Sequence, residues 1–247
     1  MKSIFIDEFF DMTSTTTSLK TNPNVSVDCV VFGFDVEGLK VLLIEQRPVG
    51  DTLGQLALPG DLVLQNENLD QSAKRVLKEL THLDGLYLKQ FQTFGDPDRV
   101  SNVKDQEWLR NFRDDPAARV ITVAYYSIVK MENYQPEAAS FAGKIIWQPV
   151  DQVPDLAFDH NKIFDTALTR LREEFELKNI AFELLPEKFT LSQLQRLHEM
   201  VLGVDLDKRN FRKKLKMKTG LVALDEKQTG VDHKPAQLFK YKPRKHA

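Results

Sequence analysis

The chain has one cysteine, Cys29, in 247 residues. It therefore cannot close an internal disulfide, and there is no cysteine pair or cluster to hold zinc, so a reducing, cytoplasmic setting is expected. Long hydrophobic runs are also lacking. Nothing approaches the roughly 18 consecutive apolar residues of a membrane span, and the apolar start MKSIFIDEFFDM is interrupted by Asp7 and Glu8, so neither membrane insertion nor secretion is expected. Internal repeats are not apparent. Net charge is nearly absent as well, at −2, but that value hides an asymmetry. Residues 203–247 hold 13 Lys and Arg against 5 Asp and Glu, and the preceding residues hold 21 against 31. An acidic body with a basic tail points to a polyanionic partner for the tail, with a solvated basic face as the plainer alternative.

What is present falls into two blocks. After a Thr- and Ser-rich stretch around Thr13 to Ser18, VSVDCVVFGF and LKVLLIE are rich in β-branched residues and flank the turn DVEG, which predicts a hairpin over 25–45. Leu69, Ala73, Val76, Leu77 and Leu80 share one helical stripe and predict a helix over 69–80. YLKQFQTF, RVITVAYYSIVK and KIIWQPV read as further strands, and HNKIFDTALTRLREEFELK as an amphipathic helix that His160 is placed to cap. Between two of these strands lies the polar segment 99–118, where Trp108, Leu109 and Phe112 suit a short capping helix. By position, Cys29 is a strand-packing residue. Mixed strands and helices in this order define an α/β (α+β) sandwich.

The stretch LPGDLVLQNENLDQSAKRVLKELTHLDG, over 58–85, aligns without a gap to the pattern G-x5-E-x7-R-E-U-x-E-E-x-G-U of the Nudix hydrolases, U being aliphatic. In those enzymes helix-borne carboxylates hold divalent cations against a diphosphate. Here Glu67, Arg75, Glu79 and Leu83 match. Asp61 stands for the first glycine, Val76 and Leu80 for two of the three helix glutamates, and His82 for the late glycine. No metal site is expected, and Glu67 and Glu79 are read as structural anchors for Arg75. A site without its cations can still bind. Guanidinium groups suit a diphosphate, which brings in Arg47 and Arg119, and the carboxylates of FGDPDR suit sugar hydroxyls. The candidate effector-binding set is Arg47, Asp61, Glu79, Phe94, Asp96, Asp98, Arg99 and Arg119. Surface arginines and a simple proline turn remain the alternatives.

In the second block, LLPEKFTLSQLQRLHEMVLG carries Thr190 followed three residues later by Gln193, a capping box that starts a helix running to about Leu202, which Gly203 stops. A basic helix, DKRNFRKKLKM, follows after a short turn; Phe211 and Leu215 mark its core face. GLVALDEKQTG and KPAQLFKYKP then read as a ribbon around the turn TGVDHKP. Helix, turn, basic helix and ribbon form a winged helix-turn-helix pattern. The candidate DNA-binding residues are Thr190, Ser192, Lys208, Arg209, Asn210, Arg212, Lys213, Lys214 and Lys234. Of these, Arg209, Asn210 and Lys213 lie early enough in the helix to reach bases.

Together, VDCVVFGF, KVLLIEQR, the LPG lead-in, TFGDPDR, RVITVAYY, LAFDHNKI and LLPEKFTLSQLQRLHEMVLG followed by LDKRNFRKKL resemble the bacterial Nudix-related transcriptional regulators of the NrtR family. The resemblance implies an N-terminal arm over 1–22, a degenerate Nudix-like α/β/α sandwich over 23–178 that senses a ligand, and a winged helix-turn-helix over 179–247. It implies a homodimer on palindromic double-stranded DNA, repressing genes of NAD synthesis or salvage and released by ADP-ribose, with no cofactor required and no catalysis. A regulator responding to a sugar such as arabinose is the alternative, followed by an active ADP-ribose pyrophosphatase.

Overall fold

In the computed structural model, residues 21–35, 37–47, 54–111, 113–178, 180–216, 220–230 and 234–242 are described. The expected hairpin forms from β1 (Thr21–Phe34) and β2 (Leu39–Gln46), paired antiparallel with Phe32 opposite Val41. Its turn is held by Asp35, whose Oδ1 accepts from the backbone N–H groups of Glu37 and Gly38. The strand takes in Thr21 and Asn22, the last two residues of the expected arm; the Thr13 to Ser18 stretch lies outside the described residues.

The sheet is completed by β3 (Leu56–Ala57), β4 (Gly60–Leu64), β5 (Lys89–Phe94), β6 (Ile121–Lys130) and β7 (Ala142–Pro149). The order β3-β2-β1-β6-β5 runs across it, with β4 pairing β1 and β7 pairing β2. β1 and β6 run parallel, from Val25 opposite Ile121 to Phe34 opposite Lys130. Both faces are covered, so the strands read as nearly continuous apolar runs. Alternate residues supply two cores. Val30, Phe32, Val41, Leu43 and Tyr126 face one side; Cys29, Val31, Leu42, Ile44 and Tyr125 face the other.

Helix α1 (Leu69–Thr81) covers the second face with Ala73, Val76, Leu77 and Leu80. It starts at a capping box between Asn68 and Gln71 and ends at His82 in the left-handed conformation, φ 55°. Cys29 lies beneath it, fully buried. The first face is covered by α3 (His160–Lys178), through Ile163, Phe164, Ala167, Leu171 and Phe175. Between β5 and β6 the segment 99–118 contains α2 (Val103–Leu109), the short helix expected there; Phe112 lies outside the described residues.

After α4 (Ala181–Leu184) and the two-residue strand β8 (Phe189–Thr190) come α5 (Leu191–Leu202), α6 (Lys208–Lys216), β9 (Leu221–Lys227) and β10 (Gln237–Tyr241). The last two strands pair antiparallel and β8 adds to the outer edge of β10, giving the three-stranded sheet of a winged helix. The Thr190–Gln193 capping box is present, and Gly203 closes α5 at φ 70°. Leu194, Leu197, Val201, Phe211 and Leu215 belong to the same apolar cluster as Phe32 and Phe164, so one core runs from the large sheet through α3 into the helix pair.

Candidate functional site

The Nudix-box helix shows what has replaced the acidic face. Val76 and Leu80 are 0% and 2% exposed, locked into the core beneath the sheet. Glu67 receives two hydrogen bonds from Arg75, at 2.9 and 2.8 Å, and Glu79 receives one at 2.9 Å; Arg75 also reaches the Leu62 carbonyl. Burial on its own raises the Glu67 carboxyl, but the Arg75 guanidinium outweighs it and holds the group below its ordinary value. These residues do not fit a magnesium site. Two ligand positions are hydrocarbon, and the surviving carboxylates are neutralised by an arginine. The anchor role expected for Glu67 and Glu79 is what the structure shows.

A cleft of about 210 Å³ lies alongside, between the ends of β1, β2 and β4 and helix α2. Its floor is charged and buried. Arg99 is 8% exposed and grips Asp159, with Nη2 at 2.8 Å and Nε at 3.1 and 3.2 Å, and it reaches Asp28 at 3.3 Å. His160 was expected to cap α3. Instead its ring turns inward, Nδ1 accepting from the Leu58 N–H at 2.9 Å and Nε2 facing Asp28 Oδ1 at 3.4 Å, because Asp28 is a buried anion needing donors. Desolvation pushes the Asp28 carboxyl up, but His160 and Arg99 more than offset it and leave the group well below the usual carboxylate range. The glycine of the LPG lead-in has a steric reason: a Cβ on Gly60 would sit 1.9 Å from Asp28 Oδ1.

One wall is aromatic. Trp108 meets Phe141 edge-on at 5.6 Å and Phe158 at 6.5 Å. Helix α2 is pinned there by Asp105, which accepts from Gln55 Nε2 at 3.1 Å and from the Phe158 N–H at 3.0 Å. The lining also includes Gln46, Asp61 and Arg113. Burial raises the Asp61 carboxyl and depresses the Arg113 guanidinium. A second hollow of about 230 Å³ shares Arg99 and Phe158 with the cleft and is bordered by Asp96, Asp98 and Asp105.

Of the eight candidate effector residues, the structure brings Asp61 and Arg99 into the cleft and Asp96 and Asp98 to the adjoining hollow. Four lie elsewhere. Phe94 is 3% exposed and packs in the core on the α3 side, since it alternates inward along β5. Arg119 is exposed and donates to the Gly95 carbonyl, and Arg47 donates to the Ala142 carbonyl. Glu79 is taken by Arg75. Sequence reading missed Gln46, Arg113, Asp28 and Asp159; three of them lie in the segments VDCVVFGF, KVLLIEQR and LAFDHNKI, but what gathers them at one cleft is tertiary.

The second candidate surface is α6. Asp207 starts it, its Oδ1 accepting from the Asn210 N–H at 2.8 Å, while Phe211 and Leu215 pack inward. Lys208, Arg209, Asn210, Arg212, Lys213, Lys214 and Lys216 are all exposed. The turn before the helix is held by Gln195 and Glu199, which bond the Leu206 carbonyl and N–H. Ser192 is exposed at the start of α5, but Thr190 is 4% exposed, its hydroxyl used by the Gln193 N–H as the helix cap. Lys234 is exposed before β10; residues 231–233 of the expected wing and the basic residues beyond Lys242 lie outside the described residues.

A Nudix-type sandwich without its metal-binding face, fused through one core to a winged helix with a cationic second helix, is the architecture of a Nudix-related transcriptional regulator. The comparisons agree. Residues 181–241 match the family described as the NrtR DNA-binding winged helix domain. The ADPR responsive transcriptional repressor NtrR of Acinetobacter baylyi is 30% identical over 224 residues, covering 89% of this chain and 82% of that protein. NrtR of Shewanella oneidensis, in its crystal structure complexed with a 27mer DNA, superposes with a TM-score of 0.61 at 27% identity, over 88% of this chain and 93% of that one. A MutT/nudix family protein from Enterococcus faecalis shares the fold, with a TM-score of 0.66 at 24% identity over 90% and 88% of the two chains. The chain belongs to the NrtR family of Nudix-related regulators, as its sequence motifs indicated.

Proposed function

We propose that this protein represses genes of NAD synthesis or salvage by binding a palindromic operator as a homodimer, and that ADP-ribose held by its Nudix-like part releases it. The sensing part spans 23–178 and the DNA-binding part 179–247. The observation that carries this reading is the pairing, in one chain, of an exposed cationic helix on a two-residue apolar anchor with a Nudix-type helix that has core residues, Val76 and Leu80, at two of its metal-binding positions. The Acinetobacter relative, by its name, responds to ADP-ribose. The Shewanella relative was crystallised with DNA. The cleft is smaller than the roughly 300–1,000 Å³ of drug-sized ligand sites. ADP-ribose therefore extends from the aromatic wall into the second hollow, where Asp96 and Asp98 accept from ribose hydroxyls.

Hydrolysis is not part of this reading, because a displacement at a diphosphate needs the cations that Val76 and Leu80 cannot hold. Two assays test it. The full chain should bind DNA from its own upstream region with affinity that falls steeply as salt rises, since each phosphate neutralised releases counterions. It should leave ADP-ribose intact in magnesium or manganese at high protein concentration. Turnover, or indifference to operator sequence, contradicts the proposal.

A further inference from the structure

Among the described residues, two polar groups in the cleft are left without partners. Gln46, 2% exposed at the end of β2, has a buried side-chain oxygen that accepts no hydrogen bond from them. Arg113, half-buried a few residues beyond α2, has a buried Nη1 that donates none to them. The contrast with its neighbours is sharp. Arg99 and Arg75 are each ion-paired with carboxylates, whereas Arg113 makes no ion pair within 4 Å among the described residues, although Asp61 lines the same cleft. Burying a cation without a counter-charge opposes folding. A fold keeps such a group where a ligand completes it.

We infer that Arg113 is the anion-reading residue of the cleft, its guanidinium taking a phosphate or diphosphate oxygen of the ligand, while Gln46 accepts from a ligand hydroxyl beside it. The inference rests on the sensor reading above and deepens it: Arg113 makes the site selective for a phosphorylated nucleotide over a neutral sugar. The surrounding chemistry agrees. The aromatic wall of Trp108, Phe141 and Phe158 offers π-faces to a base, and Arg99, the other guanidinium at the cleft, is already paired with Asp159 and Asp28. Arginine is the side chain suited to this task, as its planar fork matches phosphate oxygens bidentately.

The test is calorimetric titration of the full chain, wild type, R113Q and R113K, with ADP-ribose, AMP, inorganic pyrophosphate and arabinose, alongside thermal melts without ligand. R113Q should weaken ADP-ribose by about 10- to 100-fold, the loss of one or two charge-assisted hydrogen bonds, and R113K should retain part of the affinity. The melting temperature of R113Q without ligand should be equal to or above that of wild type, because an uncompensated charge has gone. A purely structural arginine would lower it. If wild type binds ADP-ribose and R113Q binds it equally well, or if R113Q melts well below wild type, the assignment is overturned and the sensor reading stands. If wild type binds AMP or pyrophosphate but not ADP-ribose, and R113Q loses that binding, the assignment holds and the ADP-ribose reading falls. Wild type that binds arabinose, or none of the four, overturns both.

Discussion

Val76 and Leu80 occupy positions where a hydrolase of this fold carries carboxylates, and both are now part of the core. Restoring glutamate there should not restore an enzyme. V76E with L80E would bury two carboxylates among Ala73, Leu77 and Val31 and is expected to unfold the chain or destabilise it by several kcal/mol, on the order of 2 or more per unpaired group, read by urea denaturation. Asp28 is the converse case, a buried acid whose partners hold its proton affinity down. A depressed carboxylate stabilises the fold at every pH above its ordinary value of 3.8, and that contribution is lost as pH falls through the depressed folded value. D28N should therefore cost about 3 kcal/mol at pH 7, with the difference from wild type constant above about pH 5 and shrinking in acid below 3.8. Denaturation curves from pH 3 to 8 measure it. Asp61 and Asp105 are shifted upward by burial, so they contribute with the opposite sign and do not mimic this signature.

The elements of the DNA-binding half separate contact from support. Thr190 caps α5, and T190A should lower stability by about 1 kcal/mol without changing which operator bases are preferred. G203A should cost about 1 kcal/mol, since a Cβ there meets little, with Arg172 Nη2 at 3.5 Å, and the penalty is conformational at φ 70°. On α6, R209A or N210A should erode discrimination between operator and scrambled sequence, whereas K214A should weaken both about equally and reduce the salt slope by about 1, all measurable by fluorescence anisotropy. Equal discrimination in the three variants would contradict the groove assignment. These elements were legible in the sequence because local signals specify them: the stripe Leu69, Ala73, Val76, Leu77 and Leu80, the Thr190–Gln193 box, the glycine stop, and Phe211 and Leu215 at i,i+4. The cleft was less legible. Asp28 reads as one polar residue in a strand, and its role arises from a contact 71 residues away, with Arg99; Arg113 reads as one arginine in a polar loop, and only the folded chain brings it to the cleft. Phe94 reads as a site residue through its FGDPDR neighbours and Arg119 through the fit of a guanidinium to a diphosphate; the pleat of β5 turns Phe94 into the core, and Arg119 reaches back to Gly95.

Across the whole molecule, the sensor and the DNA-binding half are joined by packing as well as by chain. His198 of α5 sits edge-on between Phe175 of α3, at 4.8 Å, and Phe211 of α6, at 5.1 Å, and Arg172 of α3 donates to the Val201 carbonyl at 2.6 Å. Gly38, in the turn after β1, lies against Met200, so close that an added Cβ would fall 1.8 Å from the methionine's terminal carbon. A ligand in the cleft can shift operator affinity to the extent that it binds one arrangement of the recognition helices better than another. In the proposed homodimer, that arrangement is the spacing of two α6 helices held on shared cores. The most direct test is the affinity of the full chain for its upstream operator, by fluorescence anisotropy at fixed salt, with and without saturating ADP-ribose. A fall of at least about fivefold, the lower end of ordinary allosteric coupling, is predicted; an operator affinity unchanged by ADP-ribose contradicts the account.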